Sequence, residues 1–425
     1  MKRRHFITHT TLAAASGFVT LAGHGWAWRA KAQSGPAAAL AANSPRLIVV
    51  FLRGGTDGLN VVVPYQEARY YEARPSIAIA KPGSQGAPDK SAIDKSAIDL
   101  DGQFGLHPAL QPLMSEWQAG NLAFVHACGS PSETRSHFQA QDYIETGMPD
   151  VVANDGWLNR LLAEMRNENP TQAINVGEKM SLILTGDETV ASITANGAAD
   201  RPLPIDRPQI QTAFDRLYAG KSQLARAYQE GRRAREIVLR EISEEMMKAS
   251  RGALPPEQFK DSAQSLARLM TSDAATQIAF MELGNWDTHV NQMGLMQRNL
   301  GLLATGLKTL VKDLGAVYNN TTIVVISEFG RTVAENGNGG TDHGHGNVVW
   351  LLGGGIQGKK VYGEWPGLTA TSGYESREYE SRDLAITTDF RDVLISLLSQ
   401  QFGFGSGAIA RIFPNYQAQK TLPLV

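Results

Sequence analysis

Three things are scarce in this chain, and each scarcity narrows what it can be. The first is cysteine: of 425 residues only Cys128 carries a thiol. No intrachain disulfide can form, and no metal can be held by a cluster of thiolates. A metal bound here needs His and carboxylate ligands. The second is net charge. A formal charge of -2 and a pI near 6.5 offer no basic face to nucleic acid or to an anionic membrane. The third is a long apolar run. The most membrane-like stretch, "TLAAASGFVTLAG", is broken by Gly, Ser and Thr and falls short of the roughly 20 apolar residues of a span.

That stretch reads as part of a leader. "MKRRHFITHT" supplies the pair Arg3-Arg4, and Ala30-Lys31-Ala32 fits the small-x-small cleavage rule. Residues 1–32 are expected to be a twin-arginine signal, which exports proteins already folded; an ordinary Sec signal is the alternative. The expected partner is the twin-arginine export machinery. The mature chain, 33–425, is expected in the periplasm or outside the cell, with no membrane span left after cleavage.

With 42% hydrophobic residues, the chain can bury a sizeable core. "RLIVVFL" is continuously apolar, as in a strand covered on both faces, and ends at Gly54-Gly55-Thr56-Asp57. "NLAFVHACGS" repeats the design and leads into "SETRSHFQAQDYIETG", which predicts a helix from about Ser136. "TQIAFMELGNWDTH" is strand-like up to Asp287 and His289, and "TTIVVISEFGRT" up to Glu328. "NVVWLLGGG" follows its polar residues instead of preceding them. "PALQPLMSEWQAG" and "GLLATGLKTLVKDLGAVY" carry helical spacing. Strands alternating with helices predict an α/β fold with a mainly parallel sheet. Residues from about 202 to 273 read as a helical insertion, with Asp206 as N-cap. "DKSAIDKSAID" and "YESREYESRD" look like surface loop duplications.

In parallel sheets ligands collect outside the strands' carboxyl ends, where this chain places most of its candidate chemistry. Asp287 and His289 are two apart, so in extended backbone they point to one side. With His343 or His345 of "GGTDHGHGN", beside Asp342, they make an N/O ligand set suited to Zn²⁺, Mn²⁺ or Fe²⁺. Asp57 and Glu328, each straight after an apolar strand, are candidates for a second cation; an Asx-turn and a helix-start carboxylate are the ordinary alternatives. Ser136, with Thr134 and Ser132 behind it, is a hydroxyl at a helix start, placed either to attack or simply to cap. His137 lies beside it, and Arg135 and Arg331 are candidate anion contacts.

In order along the chain, "LRGGTDGLN", "FGLHPAL", "TRSHFQAQDY", "GNWDTH", "SEFGRT" and "GTDHGHGN" resemble the secreted family catalogued as domain of unknown function 1501. That family is similar to the alkaline phosphatase and sulfatase superfamily. The resemblance implies an alkaline phosphatase-like three-layer α/β sandwich with one or two divalent ions, Zn or Mn first, and an anionic ester as substrate. It gives Asp57 and Ser136 (or a neighbouring hydroxyl) the first two roles, Asp287 and His289 the next, then Glu328, and His345 or His343 the last. Phe329 stands where the superfamily carries a ligating His, so one position loses a ligand unless His343 or His137 replaces it. The expected function is an exported metal-dependent hydrolase of phosphate or sulfate esters. The alternative is a non-catalytic envelope protein on the same fold, with Tyr362 and Trp365 available to a polymer.

Overall fold

A computed structural model describes residues 44–84, 96–165, 169, 171–177, 180–193, 258–368 and 382–425, with a few positions between 212 and 229. The expected leader, Asp206, most of the expected insertion and most of both duplications lie outside the described residues. Among the described residues, no helix is long and apolar enough to cross a membrane.

The apolar runs become a central sheet. Its strands are β1 (Arg46–Leu52), β5 (Leu122–Gly129), β6 (Ala173–Val176), β7 (Ala191–Ile193), β8 (Ile278–Leu283), β9 (Thr321–Ser327), β10 (Asn347–Gly353), β11 (Lys360–Tyr362) and β12 (Thr388–Asp389). They lie in the order β11-β5-β10-β9-β1-β8-β6-β7, with β12 beside β5. A small antiparallel sheet, β2 (Val62–Val63), β3 (Ile98–Asp99) and β4 (Gly105–Leu106), stands apart.

Strand alternation divides the core into two layers. In β1, Ile48, Val50 and Leu52 face one side, and Leu47, Val49 and Phe51 the other. The first face is covered by α6 (Gln258–Ser272) and α7 (Gln292–Leu314), with the segment Pro108–Gln118. The second is covered by α4 (His137–Thr146), α5 (Trp157–Met165), α8 (Phe390–Gln401) and α9 (Ser406–Ile412). This is a three-layer α/β sandwich with a mainly parallel sheet.

Two local expectations change. The amphipathic stretch after His107 is a 3-10 turn, Pro108–Leu113, before the short helix α3 (Met114–Gln118); Pro112 sits inside it and cannot donate the α-helical hydrogen bond. The last part of the expected insertion, α6, buries Phe259, Ala263, Leu266 and Met270 in the main core. Two shorter helices, α1 (Gly58–Val61) and α2 (Ala68–Ala73), follow β1.

One strand direction positions the chemistry. β1 runs parallel to β8 and β9, whereas β10 is antiparallel to both β9 and β5. The beginning of β10 therefore lies at the edge where β1, β5, β8 and β9 end. That is why its polar residues precede the strand.

Candidate metal centre

Asp287 follows β8 on the loop Gly284–Asn291, and His289 comes two residues later. The loop is pinned by close backbone approaches that only glycine allows. A Cβ on Gly54, whose φ is +124°, would sit 2.6 Å from the Asp287 nitrogen, and one on Gly340 would lie 2.3 Å from the His289 carbonyl carbon. His343 arrives on the turn before β10, through an isolated antiparallel bridge to Arg331. His137 is the first residue of α4, which begins at the end of the loop after β5.

These four side chains converge on one oxygen. From Asp287 Oδ1, His289 Nε2 lies at 3.0 Å, His343 Nε2 at 3.4 Å and His137 Nε2 at 3.6 Å. The Nε2 atoms of His289 and His343 are 3.0 Å apart. The opposite ring nitrogens identify the tautomers. His137 Nδ1 meets Glu328 Oε1 at 2.9 Å, His289 Nδ1 meets Asp342 Oδ1 at 3.2 Å, and His343 Nδ1 meets the Arg135 carbonyl at 2.8 Å. Ionised carboxylates and carbonyls only accept, so each Nδ1 is the donor and each neutral imidazole keeps its lone pair on Nε2. Three lone pairs and a carboxylate oxygen crowded together repel unless a cation lies between them. Bonds of about 2.0–2.1 Å to a tetrahedral ion put its ligands about 3.3 Å apart. The four observed spacings, 3.0 to 3.6 Å, bracket that value, and the mutually close set, with all ligand atoms within 4.8 Å, is His137, Asp287 and His343. The Nε2 of His137 is buried without a hydrogen-bond partner, as a ligating nitrogen would be before the ion is added. The residues fit a divalent cation.

The surroundings hold the donors in place. Arg331, buried at 1% exposure, donates to Asp287 Oδ1 at 2.6 Å, to the carbonyls of Gly55 at 2.6 Å, Thr341 at 3.1 Å and Trp286 at 3.2 Å, and to that of Gly54. Burial pushes the Asp287 carboxyl up, but the Arg331 hydrogen bond and charge with the neighbouring imidazoles reverse this and hold it below its ordinary value. Glu328 Oε1 accepts from Gly54 N, His137 Nδ1 and Gln141 Nε2, and Oε2 from Ser327 Oγ. Burial opposes ionisation of Glu328, yet these bonds keep its carboxyl low. The Glu328 hydrogen bond raises His137 against the effect of burial, whereas burial lowers His343. Phe329 packs its ring 4.9 Å from His137 and 5.0 Å from His343, centroid to centroid.

Several expected roles are corrected. Asp57 is fully buried and turned away: its carboxylate takes Arg74 through two bonds, of 2.6 and 3.0 Å, caps α1 at the Leu59 nitrogen, and accepts from Gln292. The turn through Gly54 and Gly55, both at positive φ, delivers the residue to the helix start instead of the cluster. Glu328 orients His137: its Oε1 is held by three protein donors, and its Oε2 faces the Ser327 hydroxyl. His345 bonds the Ser130 carbonyl at 3.0 Å and lies outside the cluster. Ser136 is exposed and its side chain makes no capping bond, while Thr134 donates to Gln139 and Ser132 to Asp150. Arg135 pairs with Asp383, and Arg331 is consumed by carbonyls and Asp287, so neither is offered to an anion. The Tyr362 hydroxyl lies between the carbonyls of Gln357 at 2.7 Å and Pro423 at 2.9 Å, and Trp365 meets His126 and Phe104 edge to face, which is packing. The sequence reading missed Arg74, Gln141 and Gln292. Gln141 and Gln292 act across 187 and 235 residues and Arg74 reaches Asp57 across 17, and none left a local signal.

Two of the solved structures to which the chain is similar illustrate the match. One is the C-terminal periplasmic domain of EcEptC from Escherichia coli in complex with Zn, at 11% identity over 73% of each chain, TM-score 0.32. The other is a protein in the alkaline phosphatase superfamily from Vibrio parahaemolyticus, at 10% identity over 94% of this chain and 75% of that one, TM-score 0.36. No curated protein sequence matches the chain. The model of the family described as "Protein of unknown function (DUF1501)" matches residues 44–413, most of the chain, and the chain belongs to that family.

Proposed function

We propose that this chain is an exported, one-metal hydrolase of phosphate or sulfate esters, carried out of the cytoplasm by the twin-arginine machinery and working in the periplasm or beyond it. The observation that carries the reading is the convergence of His137, His289 and His343 on Asp287 Oδ1, within 3.6 Å.

A divalent ion held there, Zn or Mn first, would supply Lewis acidity toward an ester oxygen and lower the pKa of a bound water. The protein's own contribution is to hold the donors ready. Glu328, Asp342 and the Arg135 carbonyl fix three tautomers, as partners of ligating imidazoles do. Arg331 keeps Asp287 ionised. Asp287 and His289, with side chains 48% and 40% exposed, form the open side by which an anionic ester would enter. A single ion is expected because the carboxylates of a second position, Asp57 and Glu328, are bound to protein donors, and Phe329 offers no ligand.

A second reading has one observation in its favour. His289 Nε2, 3.0 Å from both Asp287 Oδ1 and His343 Nε2, can join His137, Asp287 and His343 as a fourth donor and close a tetrahedron, as in structural zinc sites, whereas catalytic sites keep a position open. The chain would then be a non-catalytic envelope protein built around its metal. Elemental analysis of the untagged mature protein, beside a His289→Ala/His343→Ala variant, separates the outcomes. One equivalent lost in a folded variant, with hydrolysis of p-nitrophenyl phosphate or sulfate lost alongside, supports the hydrolase. Metal without turnover supports the structural reading. No stoichiometric metal after reconstitution sinks both.

A further inference from the structure

We propose that the start of α4 contributes a nitrogen donor where the family resemblance puts a nucleophile, so that ester cleavage here is direct attack by water with no covalent enzyme intermediate. This rests on the hydrolase reading above and specifies how that site works.

A side-chain nucleophile needs an adjacent base or a cation at its reacting atom. Among the described residues, the hydroxyls beside the four donors lack this; Ser132 has a carboxylate partner in Asp150, but that pair bonds none of the donors, and the Thr56 hydroxyl is buried with no partner at all. Ser136, one residue before the inward-facing His137, is exposed and hydrogen-bonds nothing through its side chain. His137, the imidazole beside it, is committed at both ends, with Nδ1 on Glu328 and Nε2 toward Asp287. Ser327 is buried with its hydroxyl enclosed by protein groups: its single proton lies between the Leu52 carbonyl at 2.6 Å and Glu328 Oε2 at 2.8 Å, and its oxygen accepts from the Thr56 nitrogen. Thr288 and Thr341 flank the ligating loops, but both donate to Gln292 Oε1, inside the protein. Cys128 is buried in β5, where burial pushes its thiol well up. What faces the open side is Asp287 and His289, the two donors whose side chains are 48% and 40% exposed.

The step balances with one water consumed. The water oxygen forms a bond to phosphorus (or sulfur) as the bond from that atom to the ester oxygen breaks. The electron pair leaves on the ester oxygen. One water proton goes to solvent, and the departing alkoxide takes one back. A single in-line displacement inverts the configuration at phosphorus; two successive displacements through a covalent intermediate retain it.

The test uses the metal-loaded mature protein with p-nitrophenyl phosphate, and an aryl thiophosphate made chiral at phosphorus with oxygen isotopes. Inversion is expected, with no phosphoryl adduct on the intact protein after acid quench. Ser136→Ala should keep kcat/KM within about twofold of wild type. A readout independent of turnover is the visible spectrum of the cobalt-substituted protein, which should change with His137→Ala and stay the same with Ser136→Ala. Retention of configuration, an adduct on the peptide carrying Ser136, or a Ser136→Ala protein that keeps its metal and loses activity would overturn this proposal while leaving the hydrolase reading intact. A metal-loaded protein that cleaves neither phosphate nor sulfate esters overturns both.

Discussion

Two histidines that take no part in the centre make the chain sensitive to acid, and the size of the effect follows from their surroundings. His107 is the N-cap of the turn Pro108–Leu113, its Nδ1 accepting from the Ala109 nitrogen at 3.1 Å. His126 in β5 accepts from the Ala127 nitrogen at its Nδ1 and donates from Nε2 to the Val62 carbonyl, both at 2.9 Å. In each ring the Nδ1 lone pair is already engaged by a backbone N–H, so a proton arriving there breaks that bond. Burial pulls both groups down to about 4 from 6.5.

The direction of the effect follows from proton counting. Above pH 6.5 the rings are neutral in folded and unfolded chains alike and contribute no pH dependence. Between 6.5 and 4 the unfolded chain binds protons that the folded chain refuses, so stability falls as pH falls. The shift of about 2.5 units costs about 3 kcal/mol per ring at pH 4 and about 2 kcal/mol at pH 5. The decisive variant is His107→Asn, whose amide oxygen can cap the same nitrogen and does not titrate. Urea midpoints of metal-free wild type and variant, at about pH 7.5 and about pH 5, give the comparison. The imidazoles of the centre contribute equally to both proteins and cancel. The wild type should lose about 2 kcal/mol more than the variant over that interval. A difference below about 0.5 kcal/mol, or a His107 ring that titrates near its ordinary value by NMR, would refute the argument that the cap keeps it neutral.

Three further outcomes test the centre. Asp57→Ala strands the buried Arg74 guanidinium and should cost about 3–5 kcal/mol with metal stoichiometry intact; metal lost at unchanged stability would return Asp57 to the ligands. Gly54→Ala combines a positive φ with a 2.6 Å approach to the Asp287 nitrogen, so it should cost about 1–3 kcal/mol by thermal melt and weaken the metal. Arg331→Lys cannot reproduce the fork across Asp287 and the surrounding carbonyls. It should weaken metal binding about 10–100-fold in a chelator competition, and a folded variant with undiminished affinity would show that Asp287 needs no such support.

Why the sequence located the edge of the sheet but misassigned side chains along it has a physical explanation. Strand runs such as "RLIVVFL" and "TTIVVIS" are apolar because both faces are covered, and that pattern survives without knowing the partners. The reversed order in "TDHGHGNVVWLL", polar first, carried the antiparallel direction of β10. The polar residues at the strand ends are decided by something finer. His343 and His345 are two residues apart in one turn, and both bond carbonyls of the loop after β5, those of Arg135 and Ser130; only the first reaches Asp287. Ser136 looked right because serine is the usual cap, yet it caps nothing, and the inward-facing group is the next residue. One step along a helix turns the side chain by about 100°. At a helix start that opens onto a sheet edge, this single step separates a hydroxyl facing solvent from an imidazole completing the centre. Hydrophobic period fixes the face of a buried helix, but α4 has Phe138 exposed at 82%, so its first turn has no apolar stripe from which to read the rotation. The contacts that set it, Glu328 on His137 and Gln141 on Glu328, join positions 191 and 187 residues apart, and only the folded sheet brings them together.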